Sequence, residues 1–204
     1  MKPKFYSVDD VARVIAEGRH ESSSDFDLNP EAIEMWPPAV NLRPAAVLIG
    51  LTEGRDGLNI ILTKRASHLK HHPGQIALPG GKVEPGDNDE TATALREAEE
   101  EIGLERGNVR ILGHMPFHQT ITSFRVMPVV GHIEKQFQPR PEAGEVEEVF
   151  EVPLGYLADP GNYLVEGRYW GGVKRRYYTI PYGPYYIWGA TARMLMGLAV
   201  RLSK

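Results

Sequence analysis

The feature that most constrains this chain is a helix crowded with carboxylates. Glu97, Glu100 and Glu101 stand at the i, i+3 and i+4 spacing that brings side chains together on one helical face. Like charges so placed repel each other by roughly 0.2–0.5 kcal/mol per pair. The surrounding sequence predicts a helix over 89–103, which Gly103 ends. The fold must therefore compensate three neighbouring negative charges.

Two interpretations of this acidic face stay open from the helix alone. A solvated surface helix usually carries Lys or Arg one turn from each Glu, and this window contains only Arg96. A hard divalent cation held by carboxylate oxygens would remove the repulsion directly. The helix by itself does not decide between an acidic surface and a metal site.

The loop before the helix is rich in turn residues. Residues 78–87 have the sequence LPGGKVEPGD, in which Gly80 and Gly81 interrupt regular structure. Asp87 or Asn88 is predicted to cap the helix, because short polar side chains accept hydrogen bonds from the first helical N–H groups. A glycine-containing loop therefore leads directly into the acidic helix.

Loop and helix together resemble the Nudix hydrolase signature, which is Gly, five residues, Glu, seven residues, then Arg-Glu-apolar-x-Glu-Glu-x-Gly-apolar. The second half is complete over Arg96–Leu104. In the first half, Gly81 is followed after five residues by Asp87 instead of Glu, and eight residues instead of seven separate Asp87 from Arg96. The sequence thus departs twice from the family pattern, both times outside the acidic run.

The resemblance implies an α+β fold of the Nudix type, an α/β/α sandwich in which helices flank a mixed β-sheet and the signature forms a loop-helix-loop. It implies that Glu97, Glu100 and Glu101 bind Mg²⁺ or Mn²⁺, and that Glu97, Glu100 and Arg96 take part in catalysis. Arg96 would orient a helix carboxylate. Asp87 replaces the first glutamate of the pattern, so it is a further candidate for the site.

The segment before the loop resembles a narrower branch of that family, the coenzyme A diphosphatases. Their signature, LxxRSxxLxxHxGQxAFPGG, is matched in spacing throughout residues 62–81, with Ala66 and Leu78 in place of Ser and Phe. The branch also commonly has Asp at the position of Asp87 and the longer spacing to Arg96. This resemblance implies hydrolysis of coenzyme A or its thioesters to 3',5'-ADP and 4'-phosphopantetheine or its acyl derivative.

The same segment supplies the predicted substrate-binding residues, which are Arg65, His72, Gln75, Gly80 and Gly81. Arg65 suits a phosphate because a guanidinium can grip one with two hydrogen bonds, and the 3'-phosphate of coenzyme A would favour such a cation. For His72 and Gln75, hydrogen bonding within the loop is an equally open interpretation.

Three further glutamates, Glu145, Glu147 and Glu148, follow the second long strand, where Nudix enzymes often place an extra carboxylate. Strand alternation would separate Glu148 from the other two. Glu145 and Glu148 are the candidates for the site, and exposed loop charges are the alternative interpretation. The base that deprotonates the attacking water is then Glu97 or a glutamate outside the helix.

The signature describes the reaction but not the leaving group, so two other functions stay open. One is hydrolysis of another nucleoside diphosphate derivative, such as ADP-ribose or NADH. The run SQPWPFP that NADH-cleaving relatives carry after the signature is not matched by residues 115–119. The other is a Nudix-like module that binds a nucleotide without cleaving it, although such proteins usually lose the carboxylates that this chain keeps.

The composition limits the partners. A formal net charge of −4 over 204 residues argues against nonspecific nucleic-acid binding, which needs an excess of Lys and Arg, so we expect a small-molecule substrate. The absence of cysteine excludes disulfides and thiolate zinc sites. Because the sequence has no secretory signal and no membrane-spanning run, we expect a cytoplasmic protein. A homodimer is left open.

The pattern along the chain separates an N-terminal helix and irregular arm, residues 1–43, from a Nudix domain, residues 44–204. The predicted elements are a helix from Ser7 to Gly18, a hairpin of 45–51 and 58–62, strands 109–115 and 125–133, a helical turn at 153–157, a hairpin of 163–170 and 173–180, and a helix over 187–202.

Overall fold

The computed structural model describes residues 5–18, 21–33 and 41–203; the parts of the predicted arm at residues 1–4, 19–20 and 34–40 lie outside the described residues. The helices are α1 (Val8–Glu17), α2 (Glu90–Ile102), α3 (Leu154–Leu157) and α4 (Gly189–Leu202). The strands are β1 (Ser23–Ser24), β2 (Arg43–Gly54), β3 (Gly57–Arg65), β4 (Ile76–Ala77), β5 (Gly80–Lys82), β6 (Val109–His114), β7 (His118–Gln119), β8 (Phe124–Ile133), β9 (Val146–Pro153), β10 (Leu164–Trp170), β11 (Val173–Tyr182) and β12 (Tyr185–Trp188). Short 3₁₀ turns cover Pro30–Ile33, Arg106–Asn108 and Pro160–Asn162.

Strand β2 lies at the centre of a mixed nine-stranded sheet, because its apolar run can be buried on both faces. It pairs in parallel with β8 and antiparallel with β3 and β5. Strand β9 extends the sheet beyond β3, while β6 and β7 both pair with β8. The predicted first hairpin and the two predicted strands that follow the acidic helix are therefore confirmed.

Alternation along β2 separates two hydrophobic layers. Ala46 and Leu48 pack in a cluster with α2, whereas Ile49 and Leu51 belong to a larger core that α1, α3 and α4 cover. Helices thus lie on both faces of the mixed sheet. The predicted α+β sandwich is confirmed.

Helix α2 packs on the sheet through a narrow stripe. Ala94, Ala98 and Ile102 are fully buried at intervals of four residues, and the two alanines let the helix lie close to β2 and β5. Thr91 and Leu95, which the helical wheel placed on the same side, are only half-buried. The packed face is thus rotated slightly from the predicted one, toward the acidic residues.

The helix begins at a different residue from the one predicted. Asp89 is the N-cap, since its side chain accepts a hydrogen bond from the Ala92 N–H at 2.7 Å, and neither Asp87 nor Asn88 caps the helix. Gly103 ends the helix in the left-handed conformation, with φ 71°. The capping prediction was wrong, and Asp87 is left available for another contact.

Residues 164–202 form a second, three-stranded antiparallel sheet and α4. The predicted late hairpin is confirmed as β10 and β11, which are joined by Gly171 and Gly172 with φ values of 56° and 85°, typical of a type I′ turn. The last helix starts later than predicted. Ile187 belongs to β12 because it pairs with Ile180 of β11.

The N-terminal segment is tied to the main sheet. Helix α1 begins after the predicted Ser7, which forms a capping box with Asp10. Strand β1 pairs in parallel with β7. Asp25 accepts a hydrogen bond from the Ile121 N–H at 2.9 Å and lies 3.1 Å from Nε2 of the fully buried His118. The described part of the arm is therefore packed on the fold, while the domain boundary at residue 43 stays a prediction.

No helix in residues 5–18, 21–33 or 41–203 has the length and apolar character to cross a membrane.

Asn29 attaches the arm to the late hairpin. Its side chain is almost fully buried; Nδ2 donates to the Arg176 carbonyl at 2.8 Å, and Oδ1 accepts from the Arg176 N–H at 2.6 Å. A third hydrogen bond runs from Nδ2 to the Asp25 carbonyl at 3.1 Å. One amide thus satisfies both backbone groups of a β11 residue that lies beyond the reach of β12.

We expect Asn29→Ala to lower the free energy of unfolding by roughly 1–3 kcal/mol, because it removes three partly buried hydrogen bonds made by an almost fully buried side chain. Asn108→Ala is the matched control. Asn108 makes the same two bonds, to the N–H and carbonyl of Lys135, but at an exposed turn where water can replace them, so the loss should be about 0.5 kcal/mol. Urea unfolding measures the free energy of unfolding of both variants. Equal losses would contradict the larger contribution assigned to Asn29.

Candidate functional site

Arg96 lies at the centre of the acidic site and joins the loop to the helix. Its guanidinium grips Asp87 with two hydrogen bonds, from Nε to Oδ1 at 3.0 Å and from Nη2 to Oδ2 at 3.1 Å. Nη2 also donates to the Lys82 carbonyl at 3.0 Å. Nη1 lies 3.1 Å from Oε1 of Glu97 and 2.9 Å from Oε2 of Glu100. One cation thus contacts three carboxylates and a loop carbonyl.

The pairing of Arg96 and Asp87 explains why the chain tolerates aspartate in the first half of the signature. Hydrogen bonds from Arg96 hold the pKa of Asp87 far below its ordinary value, and the Glu84 N–H and the Thr93 hydroxyl add two more. The same pairing raises the pKa of Arg96 above its ordinary value. Asp87 therefore positions Arg96 in this structure, and its contacts place it beside the site rather than among the helix carboxylates.

Glu101 is the most unusual carboxylate of the helix, because its side chain is only 5% exposed. Burial raises its pKa to about 8, and the nearby charges of Glu97 and Glu145 push in the same direction. Two groups oppose the shift: the Gly80 N–H, which donates to Oε2 at 3.1 Å, and the positive charge of Arg65. A buried carboxylate with one hydrogen bond is poised to gain a cationic partner.

Glu97 and Glu100 differ from Glu101 in exposure. Glu97 is half-buried, and burial raises its pKa although the charge and hydrogen bond of Arg96 oppose the shift. Glu100 is exposed and contacts Arg96. The three predicted ligands thus lie on one helix with graded access to solvent, from the buried Glu101 to the exposed Glu100.

The two glycines of the loop are required by close packing. A Cβ on Gly81 would collide with the Glu97 carboxylate, and a Cβ on Gly80 would collide with the backbone of Ala46 and Val47 in β2. The glycines therefore let β5 pair closely with β2 while α2 packs against it. Their predicted role in binding substrate stays a prediction.

Glu145 belongs to the same electrostatic environment, while the neighbouring glutamates face other partners. Its charge raises the pKa values of Glu97 and Glu101, so it lies near both, at the residue before β9. Glu147 pairs with Lys64 at 2.6 Å. Glu148 accepts a hydrogen bond from the Tyr185 hydroxyl. Of the two candidates outside the helix, Glu145 is the one that the fold brings toward the helix carboxylates.

Arg65 also lies beside the acidic helix. It ends β3, and its Nε is buried without a hydrogen-bond partner among the described residues. His72 is exposed, with a positive φ of 55°, and its carbonyl accepts a hydrogen bond from the Gln75 N–H at 3.3 Å. The Gln75 carbonyl in turn accepts from the Arg65 N–H at 3.0 Å. Backbone hydrogen bonds thus hold the loop in place. That the side chains of His72 and Gln75 bind substrate stays a prediction.

The chemistry of the donors fits a hard divalent cation, but the oxygens are not arranged as a closed cage. Within the described ranges, no group of three or more His, Asp or Glu side chains converges on a common point. Glu97 and Glu100 turn toward Arg96 instead. Burial raises the pKa values of Glu97 and Glu101, and a cation nearby would favour their ionised forms. Glu97, Glu100 and Glu101 are therefore the residues that could hold such an ion.

The burial of Glu101 is the part of the site that sequence reasoning missed. A signal was present, because Glu101 follows Ala94 by seven residues and Ala98 by three, which places it on the packed stripe. The contact between Arg96 and Asp87 had no comparable signal, since it depends on the path of the intervening loop.

The comparison with known sequences finds relatives over most of the chain. The family described as NUDIX domain matches residues 41–164. The chain is 42% identical over 189 residues to the protein named Nudix hydrolase 15, mitochondrial, of Arabidopsis thaliana, and the match covers 89% of this chain and 66% of that protein, just under two thirds. It is 38% identical over 169 residues to the protein named uncharacterized Nudix hydrolase NudL of Salmonella typhimurium, covering 83% and 88% of the two chains.

Solved structures show weaker similarity. A Nudix hydrolase from Alicyclobacillus acidocaldarius aligns with a TM-score of 0.49 and 18% identity, over 81% of this chain and 98% of that chain. A C. elegans Ap4A hydrolase aligns with a TM-score of 0.47 and 20% identity, over 54% and 80%. Because these TM-scores and identities are low, the description of the fold rests on the strand order of the protein itself.

We expect Asp87→Asn to lower the free energy of unfolding by roughly 1.5–3 kcal/mol, because it removes the charged acceptor of two guanidinium hydrogen bonds. Asp89→Asn is the matched control, two residues away. Asparagine caps helices about as well as aspartate, so this variant should lie within about 0.5 kcal/mol of the parent. Urea unfolding of the two variants gives the comparison. A larger loss at position 89 would mean that the cap, and not the ion pair with Arg96, holds the loop to the helix.

Proposed function

The chain belongs to the Nudix family, and on that basis we propose that it hydrolyses the diphosphate bond of a nucleoside diphosphate derivative with a divalent metal ion, Mg²⁺ or Mn²⁺. The observation that carries the proposal is the set of helix carboxylates around Arg96, with Glu97 and Glu101 kept at raised pKa values by burial. On a structural acidic surface these side chains would lie in water, which screens their charges, and burial would not raise their pKa values.

Glu97, Glu100 and Glu101 would hold the metal ion. When bound, it would offset negative charge on the diphosphate oxygens and make water a better nucleophile. The chain itself supplies the positioning: Arg96 contacts Glu97 and Glu100, and the Gly80 N–H contacts Glu101. These contacts limit the motion of the ligands before substrate arrives, which is the main protein contribution in phosphoryl transfer.

A base is also needed to take the proton of the attacking water. Glu97 and Glu145 are the candidates, one on the helix and one beside it. The side chain of Glu145 is exposed and makes no hydrogen bond or ion pair within the described part of the chain, so its oxygens are available to accept a proton. Glu148 is a weaker candidate because Tyr185 already occupies it.

We expect Glu97→Gln and Glu100→Gln each to lower kcat by about 100-fold or more, because each removes a charge that would hold the metal ion. Glu99→Gln is the matched control on the same helix, since Glu99 faces away and pairs with Arg106 at 2.6 Å. It should keep nearly the parental rate. Steady-state kinetics with Mg²⁺ or Mn²⁺ measure the effect. A non-catalytic nucleotide-binding module would have no rate to lose in any variant.

We further propose coenzyme A or one of its thioesters as the substrate. The match of residues 62–81 to the coenzyme A diphosphatase pattern supports this choice. So does Arg65, whose buried Nε lacks a partner in the described residues and whose charge acts on Glu101. A phosphate of the substrate would supply the missing acceptor. The names of the two sequence relatives specify no substrate, so ADP-ribose and NADH are the alternatives to be tested.

With Mg²⁺ or Mn²⁺ present, the protein should release 3',5'-ADP from coenzyme A and none when the metal is omitted. Arg65→Gln should lower kcat/KM for coenzyme A by roughly 10- to 100-fold, and less for dephospho-coenzyme A, which lacks the 3'-phosphate. Lys64→Gln is the neighbouring control, because Lys64 pairs with Glu147 instead of facing the helix carboxylates. Chromatography identifies and quantifies the products released by the parent protein and by the two variants.

Two outcomes would redirect the proposal. Cleavage of ADP-ribose or NADH with no release of 3',5'-ADP would keep the reaction and replace the substrate. Equal losses for coenzyme A and dephospho-coenzyme A in Arg65→Gln would assign Arg65 to the diphosphate, which both compounds share. A cytoplasmic location and a small-molecule substrate without nucleic-acid partners stay predictions from the sequence.

A further inference from the structure

Strand β10 is an exposed edge on the side of the molecule formed by the second sheet. It pairs with β11 on one side, and no described residue pairs with its other side. Every side chain of the strand is exposed, including Val165 at 53%, Tyr169 at 78% and Trp170 at 63%. An exposed edge with large apolar side chains is a surface that other strands can join, and proteins normally cover or blunt it.

The hairpin geometry shows which backbone groups of β10 point outward. The two-residue turn makes Trp170 and Val173 a hydrogen-bonded pair, and such pairs alternate along antiparallel strands. Gly167 and Arg176 are therefore a pair whose backbone groups point away from each other. Asn29 confirms this direction, since it binds the Arg176 N–H and carbonyl from the far side of β11. The outward groups of β10 belong to Val165, Gly167 and Tyr169.

A second copy of the same strand can pair with these groups in antiparallel orientation about a two-fold axis. Residues whose backbone groups point outward must lie opposite each other so that these groups can form hydrogen bonds. The axis can therefore pass through residue 166, 167 or 168 near the middle of the strand. An axis at Glu166 would place Glu166 opposite itself, and an axis at Arg168 would place Arg168 opposite itself. Only an axis at Gly167 avoids both contacts between like charges.

The pairing centred on Gly167 is complementary along its whole length. Glu166 faces Arg168 of the second copy, which is an opposite-charge pair at a position where side chains approach closely. The same register places Val165 opposite Tyr169, and Leu164 opposite Trp170. Within one chain, Arg168 lies opposite Arg175 and has no carboxylate within ion-pair distance among the described residues, so the second copy would supply a partner that its own hairpin lacks.

We propose that β10 is a homodimer interface, in which two copies pair antiparallel through Val165, Gly167 and Tyr169 about a two-fold axis at Gly167. The two three-stranded sheets join into one of six strands, with about six hydrogen bonds across the axis. The interface is isologous and closed, so it covers the exposed edge without leading to filaments. The occupant is a second copy of this chain because the strand is complementary to itself in charge and in the direction of its free backbone groups.

Charge reversal tests the register. The parent protein should show twice the mass of the chain by sedimentation equilibrium. Glu166→Arg and Arg168→Glu should each raise the dimer dissociation constant roughly 10- to 100-fold, because two attractive pairs per dimer become repulsive. The double variant should restore the parental value. Glu105→Arg, an exposed glutamate outside the hairpin, is the control for net charge and should dimerise as the parent does.

Cysteine cross-linking gives a second test that does not depend on affinity. The chain has no cysteine, so Gly167→Cys introduces a single thiol at the axis. Directly opposed Cα atoms lie about 5.5 Å apart in a hydrogen-bonded pair, within the range that a disulfide spans. Mild oxidation should link two chains. Leu164→Cys is the control, since its two copies would lie roughly 20 Å apart and should not link.

Three results would overturn the proposal. A parent protein that stays monomeric at about 100 µM would show that the edge is covered or unused. A dimer that all three charge variants leave intact would place the interface elsewhere. A double variant that stays monomeric, with a circular dichroism spectrum like that of the parent, would rule out the register centred on Gly167.

Discussion

The guanidinium of Arg96 is the contact on which the acidic site depends. Three carboxylates lie around it, one from the loop and two from α2, and a hydrogen bond to the Lys82 carbonyl ties it to the end of β5. Without this cation, Asp87 would be a charge with little access to water, and the acidic face of α2 would repel the loop. Arg96 therefore holds the loop that follows β5 against α2, beside the strand from which the Gly80 N–H reaches Glu101.

Close packing of α2 on the sheet also buries a carboxylate, which raises its pKa. The stripe of Ala94, Ala98 and Ile102 draws the helix down, and Glu101 is carried into the interface with it. Burial of a carboxylate is unfavourable, so its pKa rises to about 8, and a cation bound nearby would favour its ionised form. The same packing that stabilises the helix therefore leaves a buried carboxylate that a positive partner would stabilise.

The sequence predicted those parts that follow from local periodicity. The helix over 89–103, both hairpins and the α+β class were confirmed because each depends on spacing or on a turn. Periodicity could not fix the cap of α2 among three adjacent polar residues, because it does not show that Arg96 binds Asp87 and leaves Asp89 as the cap. Nor could it fix the point at which β12 ends and α4 begins, because that depends on the pairing of β12 with β11. The roles of Asn29 and His118 had no signal, since their partners lie about a hundred residues or more away in the sequence.

The positions of charged residues along α2 and along β10 have different consequences. On α2, the spacing brings like charges together, and Arg96 of the same helix offsets part of their repulsion by contacting Glu97 and Glu100. On β10, one glycine separates two unlike charges, so that in the proposed register each faces its opposite on a strand that runs the other way. The hairpin cannot supply that strand, because Arg175 already faces Arg168. Charges that are left unbalanced within one element thus point, in the two proposals, to an ion beside α2 and to a second copy of the chain at β10.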